Sequence, residues 1–409
     1  MRVLHVNKFL YRRGGAEGYL FDVAELQERD GDEVAFFGMT HAENEPGLPY
    51  APHFPSRVDL EPPPPGLRGR AAAAGRMLWS TSARAGLRRV IDDFRPHVVH
   101  LHNVYHQLSP SVVAAARDAG VPCVMTLHDY KLACPSYQML DRGEPCDACV
   151  TGGPLQAARR ACKDGSRTAS TLLAVESWLH RRLRAYDGVG AFLAPSRFLA
   201  GVLTRAGVYP DRLHVLRHPV DCDGMAVKPE PGGGVLFAGR LAAEKGVDTL
   251  IDAAALLPPE ITVDVAGDGP ARAELERRGA GRVRFHGRLR RAELHDLVRR
   301  SGVVAVPSRW YENQPLAVLE AFGCGVPVVG TDLGGLPELI TPGVDGEVVP
   351  AGDPAALAGA LARTLGSADR AWRMGRAGRD KVATHFTPAD HLTGLRAAYA
   401  AAGAPVAVA

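Results

Sequence analysis

The chain has 409 residues, of which 46% are hydrophobic and 23% are charged. This composition is typical of a globular protein with a large core and excludes a chain that is mainly disordered or mainly coiled coil. The 48 Lys and Arg residues against 45 Asp and Glu residues give a net charge of +3, without the basic excess of a dedicated nucleic-acid-binding protein. The length predicts two or three domains.

The sequence predicts a protein without membrane-spanning segments. It contains no run of 18 apolar residues, and the stretch 112–127 is interrupted by Arg117 and Asp118. The apolar stretch at the start is too short for a signal peptide and is predicted to form a first strand. Seven cysteines in such a chain favour reduced thiols or a bound metal over disulfides. We therefore expect a cytoplasmic protein, and peripheral attachment to the inner face of the cell membrane stays open.

Short β-branched segments alternate with helical stretches along the chain. In the first half, strands are predicted at 3–6, 34–37, 97–101, 121–127 and 190–194, with a helix at 16–28. After a Pro- and Gly-rich passage, strands are predicted at 235–238, 261–266, 282–286, 303–306 and 326–330, and helices at 244–257, 271–278, 292–300 and 316–323. This alternation predicts parallel sheets covered by helices on both faces. Because one sheet of so many strands is unusual, we predict two doubly wound α/β domains joined near 222–233, with a ligand site in the cleft between them.

Two insertions interrupt this alternation. Residues 66–89 are rich in Arg and are predicted to form one basic, partly amphipathic helix, which could contact an anionic membrane or present an ordinary solvated face. Residues 134–162 are irregular and contain one C-x-x-C pair and two further thiols: Cys134, Cys146, Cys149 and Cys162. Four thiolates in a loop of this size favour a structural zinc site. Unbridged thiols and redox chemistry are the alternatives.

Two loops that follow predicted strands carry residues suited to phosphate groups. The G-x-G-x-x-G fingerprint of nicotinamide domains and the P-loop pattern are both missing from the sequence. Gly14 and Gly15 lie between a strand and a helix, where small residues let a ligand approach backbone N–H groups, although a simple helix-start turn is the alternative. Arg240 and Lys245 flank a second helix start, an arrangement that suits a diphosphate. A solvated loop is the alternative there.

Acidic and histidine side chains mark two further places. Glu312 precedes a predicted helix and Glu320 lies about two turns further on, a spacing at which glutamates are most often solvent-exposed. His128 follows a predicted buried strand. A cluster of His100, His102 and His106 lies one strand earlier, and His100 and His102 share one side of that strand. These histidines could line the ligand cleft, and alternating packing between strands is the alternative.

Taken in order, these segments resemble the family-4 retaining glycosyltransferases. The longer motifs are G-R-L-x-x-E-K-G at 239–246, V-A-G-D-G-P at 265–270, F-H-G-R-L at 285–289 and two glutamates followed by A-x-x-x-G-x-P-V-V at 312–329. The shorter ones are P-S-R-F at 195–198, H-P-V-D at 218–221, G-G-L-P-E at 334–338 and G-V-D-G at 343–346. The resemblance spans nearly the whole chain and is strongest over about residues 190–350.

The resemblance implies the GT-B architecture, in which two facing Rossmann-like domains enclose a cleft. Residues 1–222 would form the acceptor-side domain, including the Cys-rich insert 134–162. Residues 223–387 would form the domain that binds the nucleotide sugar. Residues 388–409 would form a C-terminal helix that packs back toward the N-terminal domain.

The activity implied is transfer of a hexosyl or related sugar from a UDP- or GDP-sugar to a hydroxyl acceptor, with retention of anomeric configuration and no cofactor or metal needed for catalysis. The acceptor would be a saccharide, a lipid-linked saccharide or a natural product, with peripheral membrane contact through residues 66–89. A sugar-nucleotide epimerase of the same architecture is one alternative. A non-catalytic subunit that binds nucleotide sugars is the other.

The resemblance also implies roles at matching positions. The predicted catalytic residues are His128 and Glu312 beside the transferred sugar and Arg240 and Lys245 at the diphosphate, where negative charge develops on the leaving group. The remaining donor-site positions are Gly14 and Gly15 at the phosphates, Glu320 at the ribose, Arg288 and Leu289 beside the base, and Asn313, Gln314, Pro315 and Leu316 around the phosphates. Pro315 departs from the family pattern, which has Gly there, and removes one backbone N–H donor. His218 departs from the usual Asn.

Overall fold

The computed structural model describes residues 1–60, 64–227, 230 and 232–405. Part of the predicted domain junction at 222–233 and the last four residues of the predicted segment 388–409 therefore lie outside the described residues. The strands at the centre of the two sheets are largely buried, and six of the twelve strands are buried at every residue, as parallel strands covered on both faces must be.

The first parallel sheet is built from the N-terminal part of the chain. Its strands are β1 (Arg2–Val6), β2 (Glu33–Phe37), β3 (Val98–Leu101), β4 (Cys123–Thr126), β7 (Ala191–Ala194) and β8 (Leu213–Val215), and a separate hairpin is formed by β5 (Leu140–Asp141) and β6 (Glu144–Pro145). The sheet order is β2-β1-β3-β4-β7-β8. The helices are α1 (Gly15–Arg29), α2 (Gly66–Leu78), α3 (Thr81–Phe94), α4 (Ser111–Asp118), α5 (Ala148–Gly152), α6 (Gln156–Arg160), α7 (Arg167–Arg182) and α8 (Arg197–Arg205).

The second parallel sheet repeats this plan. Its strands are β9 (Val235–Ala238), β10 (Val263–Ala266), β11 (Val283–Gly287), β12 (Val303–Val306), β13 (Val328–Thr331) and β14 (Gly346–Val349), in the order β11-β10-β9-β12-β13-β14. The helices are α9 (Val247–Leu256), α10 (Arg272–Arg278), α11 (Arg291–Arg300), α12 (Leu316–Gly323), α13 (Leu336–Leu339), α14 (Pro354–Leu365), α15 (Ala368–His385) and α16 (Pro388–Ala401). The prediction of two doubly wound α/β domains is confirmed.

The first strand of each sheet lies where the strand order reverses. β1 has β2 on one side and β3 on the other, and β9 has β10 and β12 as its neighbours. Crossovers therefore leave these strands in opposite directions and open a crevice at their carboxyl ends. The loops that follow β1 and β9 are the two loops for which the sequence predicts phosphate contacts.

The last helix, α16, returns to the first domain. Leu395 and Tyr399 are fully buried there in a cluster with Val3, Tyr19 and Val124. The Tyr399 hydroxyl bonds His100 Nδ1 at 2.9 Å and accepts from Gln27 Nε2 at 3.0 Å. The C-terminal helix thus forms part of the packing beneath the first sheet.

Helix boundaries correct two sequence predictions. The single helix predicted at 66–89 is wrong: α2 ends at Leu78, and Ser80 caps α3 by accepting from the Ala83 N–H at 3.2 Å. A Ser side chain satisfies an N–H that a helix start leaves unpaired, and hydrophobic periodicity alone does not detect this break. In the helix predicted at 244–257, a 3-10 turn ends at Gly246 in the left-handed region (φ 67°), and α9 starts after it.

A membrane-spanning helix is not found among the described residues, since none of their helices combines sufficient length with sufficient apolar character.

Candidate functional site

A cavity of about 1040 Å³ lies between the carboxyl ends of the two sheets and is lined by residues of both domains. Most of the predicted site residues line it, namely His128, Gly14, Gly15, Arg240, Lys245, Arg288, Leu289, Glu312, Asn313, Gln314, Pro315 and Leu316. Its volume exceeds that of a typical small-molecule pocket. It therefore has room for a nucleotide sugar with part of an acceptor.

Glu320 does not line this cavity. It lies further along α12, half-buried, with a carboxylate oxygen 3.9 Å from His295 Nε2. The start of α12 does reach the cavity, through Leu316 and Ala317. The first N–H groups of a helix have no partner within the helix and attract anions, so this helix start offers donors although Pro315 supplies none.

The glycine at the end of the β9 loop has a steric function. Gly246 has φ 67°, and a Cβ atom there would lie 1.9 Å from the Pro307 carbonyl oxygen. Only glycine, which has no Cβ atom, allows the two backbone segments to approach this closely. The tight turn directs the preceding residue, Lys245, toward the segment that carries Glu312.

Lys245 and Glu312 form an ion pair in the cavity wall. Lys245 Nζ donates to Glu312 Oε1 at 2.7 Å, and the Ser308 hydroxyl donates to the same oxygen at 2.5 Å. Burial raises the pKa of Glu312, but the Lys245 ammonium and these hydrogen bonds outweigh burial and hold the pKa below its usual range. The family resemblance implied that Lys245 binds the diphosphate and that Glu312 binds the sugar. In the structure, these two side chains form an ion pair with each other.

The segment after Glu312 binds the first domain. The Asn313 amide accepts from Ser196 Oγ at 2.8 Å and donates to the Leu127 carbonyl oxygen at 3.2 Å. The Gln314 amide accepts from the His218 N–H at 2.7 Å and donates to the His218 carbonyl oxygen at 3.4 Å. Both amide groups therefore hold the two domains together. The resemblance implied contacts with the donor for Asn313 and Gln314 and did not include these bonds to the first domain.

Two of the shorter motifs support the same junction. Glu338 accepts from the N–H groups of Arg197 and Phe198 at 2.9 and 2.6 Å, so the carboxylate caps the start of α8 in the other domain. A Cβ atom at Gly335 would lie 2.0 Å from the Asn313 carbonyl oxygen. The P-S-R-F and G-G-L-P-E motifs thus serve domain docking.

A chain of buried hydrogen bonds leads to His128. Its Nε2 lies 3.1 Å from His102 Nδ1, His102 Nε2 lies 3.0 Å from His5 Nδ1, and His5 Nε2 lies 2.7 Å from Gln27 Oε1. His5 and His102 are fully buried. His100 is also fully buried and bonds Thr126 Oγ1 at 2.7 Å, so packing between strands, and not the lining of an acceptor cleft, accounts for His100 and His102.

This chain fixes which nitrogen of each ring carries hydrogen. The Gln27 oxygen can only accept, so His5 Nε2 is the donor and His5 Nδ1 is an acceptor. The same logic makes His102 Nε2 a donor and then makes His128 Nε2 a donor to His102 Nδ1. Because burial lowers the pKa of His128 to about 3, the ring is neutral, and its Nδ1 is left as a hydrogen-bond acceptor.

Several cavity residues were missed by the sequence analysis. Lys8 directly follows the β1 region, and burial lowers the pKa of its ammonium. Tyr137 was also missed, whereas His106 belongs to the histidine cluster that the sequence places at the cleft. Both residues line the cavity, with φ values of 59° for Tyr137 and 63° for His106, a conformation in which non-glycine residues are often held at functional sites. His218 is buried, and its Nδ1 has no hydrogen-bond partner among the residues that the structure describes. Its departure from the usual Asn was the one signal in the sequence that pointed to it.

The four cysteines of the insert lie together outside this cavity. Cys134, Cys146, Cys149 and Cys162 line one separate small cavity, and Cys134 and Cys149 are buried. None of them forms a disulfide.

The buried histidines predict a loss of stability in acid. Burial lowers the pKa of His5 and His391 to about 4 from the ordinary 6.5, so the unfolded chain takes up protons before the folded one does. The free energy of unfolding should therefore fall as the pH drops from 6.5 toward 4, by up to about 1.4 kcal/mol per pH unit for each such histidine. Urea unfolding at about pH 7.5 and about pH 5.5 measures this.

His391→Gln should reduce this pH dependence, because an amide can bond Tyr19 and the Arg217 carbonyl oxygen without titrating. His214→Gln, at an exposed position, is the matched control and should leave the dependence unchanged. Equal stability of the wild type at both pH values would contradict the assignment of neutral buried histidines.

Known proteins share both the sequence patterns and the fold described above. The model of Glycosyltransferase Family 4 matches residues 13–223, and the model of Glycosyl transferases group 1 matches residues 232–367. Glycogen synthase of Mycobacterium tuberculosis is 29% identical over 338 residues, covering 78% of this chain and 73% of the relative.

Solved structures agree in fold. HepE of Anabaena in complex with UDP and glucose superposes with a TM-score of 0.68 at 20% identity, covering 98% of this chain and 99% of that chain. Sucrose-phosphate synthase of Thermosynechococcus elongatus superposes with a TM-score of 0.71 at 19% identity, covering 98% and 100%. With both of its domains matched by the family models, the chain belongs to the family-4, group 1 glycosyltransferases of GT-B fold.

Proposed function

We propose that this glycosyltransferase uses a UDP- or GDP-sugar, transfers the sugar to a hydroxyl group with retention of configuration, and needs no metal for the transfer. The observation that carries the proposal is the single cavity in which Arg240 and Lys245 face Gly14, Gly15 and His128 of the other domain. Cations from one domain and backbone donors from the other can then enclose a diphosphate. The acceptor class proposed is a saccharide, a lipid-linked saccharide or a natural product.

The donor would bind mainly to the second domain. Arg240 is exposed at the cavity and free to turn its guanidinium toward two phosphate oxygens. Arg288 and Leu289 line the same wall and would border the base. Lys8 and Arg13 add positive charge from the first domain. The HepE complex with UDP makes UDP the first nucleotide to test.

In the proposed reaction, the bond between the anomeric carbon and the leaving phosphate oxygen breaks while the acceptor oxygen forms its bond on the same face of the sugar. The acceptor proton passes to the leaving phosphate. Arg240 and Lys245 stabilise the charge that grows on that phosphate. These two cations would supply the charge that a divalent metal could otherwise provide.

The ion pair gives Lys245 and Glu312 a linked role in this proposal. A diphosphate would compete with Glu312 for the Lys245 ammonium, which now lies 2.7 Å from the carboxylate. As Lys245 turns to the phosphate, Glu312 keeps its Ser308 bond and gains the capacity to accept from sugar hydroxyls. The His128 Nδ1 atom would accept from another hydroxyl, held in place by the His102 bond.

Calorimetric titration with UDP, GDP, ADP and NAD tests the donor site. We expect one nucleoside diphosphate to bind the wild type, and Arg240→Ala to weaken it about 10- to 100-fold, because a hydrogen bond to a charged group is lost. Arg373→Ala, which removes an exposed arginine of α15, is the matched control and should bind like the wild type. Binding of NAD alone, or equal affinity of Arg240→Ala and the wild type, would contradict the proposal.

The stereochemistry can be measured with water as the acceptor. NMR of UDP-glucose or GDP-mannose hydrolysis, read before the released sugar equilibrates, should show the anomeric configuration of the donor. Glu312→Gln should slow turnover about 100-fold through loss of sugar positioning, and added Mg²⁺ should not change the wild-type rate. Release of the opposite anomer would disprove retention.

We also propose that the surface along α2, from Leu67 at its start to Trp79 after its end, contacts an anionic membrane. Leu67 is 86% exposed, and Trp79 and Trp178 are 42% and 47% exposed. The His180 ring bonds the Leu78 carbonyl oxygen at 2.9 Å, which places the end of α2 beside α7, the helix of Trp178. Exposed Trp and Leu beside exposed Arg side chains, such as Arg68, suit an interface with anionic headgroups.

Vesicle co-sedimentation tests this contact. The protein should bind vesicles that contain phosphatidylglycerol, bind less as salt screens the arginines, and fail to bind phosphatidylcholine alone. Trp79→Ser together with Leu67→Ser should abolish binding. Trp372→Ser, at an exposed tryptophan of the second domain (37% exposed), is the control. Equal sedimentation of the double variant and the control would show that the surface is only a solvated face.

A further inference from the structure

The Cys-rich insert folds around its cysteines. The β5–β6 hairpin leads into Cys146, whose N–H donates to the Met139 carbonyl oxygen at 2.8 Å. Cys149 follows within α5, so the C-x-x-C pair spans the passage from a hairpin to a helix. Cys134 before the hairpin and Cys162 after α6 line the same small cavity. Four thiols from separate parts of the insert thus line one small cavity.

One side of the insert packs on the main core of the first domain, through Met139 and Val150. The core around the other cysteines is small: it consists of Cys149, Ala157 and, from α7, Ala174, with Ala158 and Cys162 packed beside them. Alanine and cysteine bury little apolar area, so the hydrophobic contribution of this cluster is small. Segments of this kind usually depend on a metal or on disulfides, and the cysteines here are not paired as disulfides.

The four thiols share one cavity but are spaced more widely than ligands of a bound ion. Cys134 Sγ lies 3.2 Å from Ser136 Oγ, and Cys162 Sγ lies 3.8 Å from the Ala157 carbonyl oxygen. Among the described residues, only His5, His100 and His102 bring three candidate ligand atoms within 4.8 Å of one another. A metal at the cysteines would therefore draw their sulfur atoms inward. Cys146 and Cys162 are partly exposed and have room to move.

The histidine trio is the poorer metal site although it is the tighter one. Both ring nitrogens of His5, His100 and His102 take part in hydrogen bonds with one another or with Gln27, Thr126, Tyr399 and His128. A metal would have to displace these bonds inside a fully buried layer. The cysteines carry no comparable network.

We propose that Cys134, Cys146, Cys149 and Cys162 bind one Zn²⁺ as a structural, tetrahedral, four-thiolate site. Zinc favours sulfur ligands at this spacing, and four protein ligands leave no open position for catalysis. Such a site carries a net charge of −2. Arg160 lines the same cavity, and its guanidinium pairs with Asp141 at 3.0 Å, so it offsets only part of that charge.

The zinc site would fix a wall of the main cavity. Tyr137 lies between Cys134 and the hairpin, has φ 59°, and lines the main cavity. Lys131 Nζ donates to Glu176 at 2.7 Å in a buried pair and to the Pro135 carbonyl oxygen at 3.0 Å, which anchors the start of the insert. A fastened insert would therefore hold Tyr137 on the acceptor side.

The experiment is metal analysis of the full-length protein, purified with reductant and without chelator from zinc-supplemented cells. We expect one zinc per chain in the wild type and in Cys222→Ser, a buried cysteine outside the insert. Cys146→Ser together with Cys149→Ser should lower the zinc content roughly tenfold or more, because two of four ligands are lost. Zinc removal should also open residues 134–162 to limited proteolysis.

Cobalt substitution covers the case in which the double variant fails to fold. Wild-type protein stripped of zinc and loaded with Co²⁺ should show sulfur-to-cobalt charge transfer and the intense bands of a tetrahedral site. Absence of zinc together with failure to bind Zn²⁺ or Co²⁺ after reduction would overturn the proposal. So would full zinc content in the double variant, or a Cys134–Cys149 disulfide in the native protein. Nucleotide binding is measured separately, so failure here leaves the donor site untouched.

Discussion

The arrangement of the cleft depends on how residues 312–314 dock between the two domains. Glu312 faces the cavity and pairs with Lys245, while the next two side chains bond Leu127, Ser196 and His218 of the first domain. One short segment therefore both carries a site residue and fixes the width of the cleft. Side-chain amides suit this task because each offers a donor and an acceptor.

A second constraint runs beneath the first sheet. The Tyr399 hydroxyl of α16 bonds Gln27, and Gln27 sets the hydrogen-bond direction through His5 and His102 to His128. Each ring is neutral because the surrounding apolar layer disfavours charge. The C-terminal helix is thus connected by a series of side-chain hydrogen bonds, and not by packing alone, to His128 in the cavity wall.

Much of the architecture and most of the cavity lining could be predicted from sequence. The alternation of strands and helices identifies the two sheets, because parallel strands that are buried on both faces appear in the sequence as short apolar runs between helices. The motifs identify Arg240 and Lys245. The pairing of Lys245 with Glu312 could not be predicted, because it joins residues 67 positions apart. The break at Ser80 was missed because a cap, not a change in periodicity, ends the helix. Lys8 and Tyr137 belong to no motif and reach the cavity only through the fold.

The site also shows why a motif does not by itself reveal a ligand contact. Glu338 and Asn313 lie in segments that look like donor-binding motifs, yet the first caps α8 and the second bridges the domains. Arg240, by contrast, is exposed at the cavity. Under the proposed function, replacing a bridging residue would change the distance between the domains and so affect the binding of donor and acceptor together. Replacing Arg240 would remove positive charge at the phosphates and leave the domain contacts in place, so measurements of nucleotide affinity and of domain geometry would distinguish the two kinds of residue.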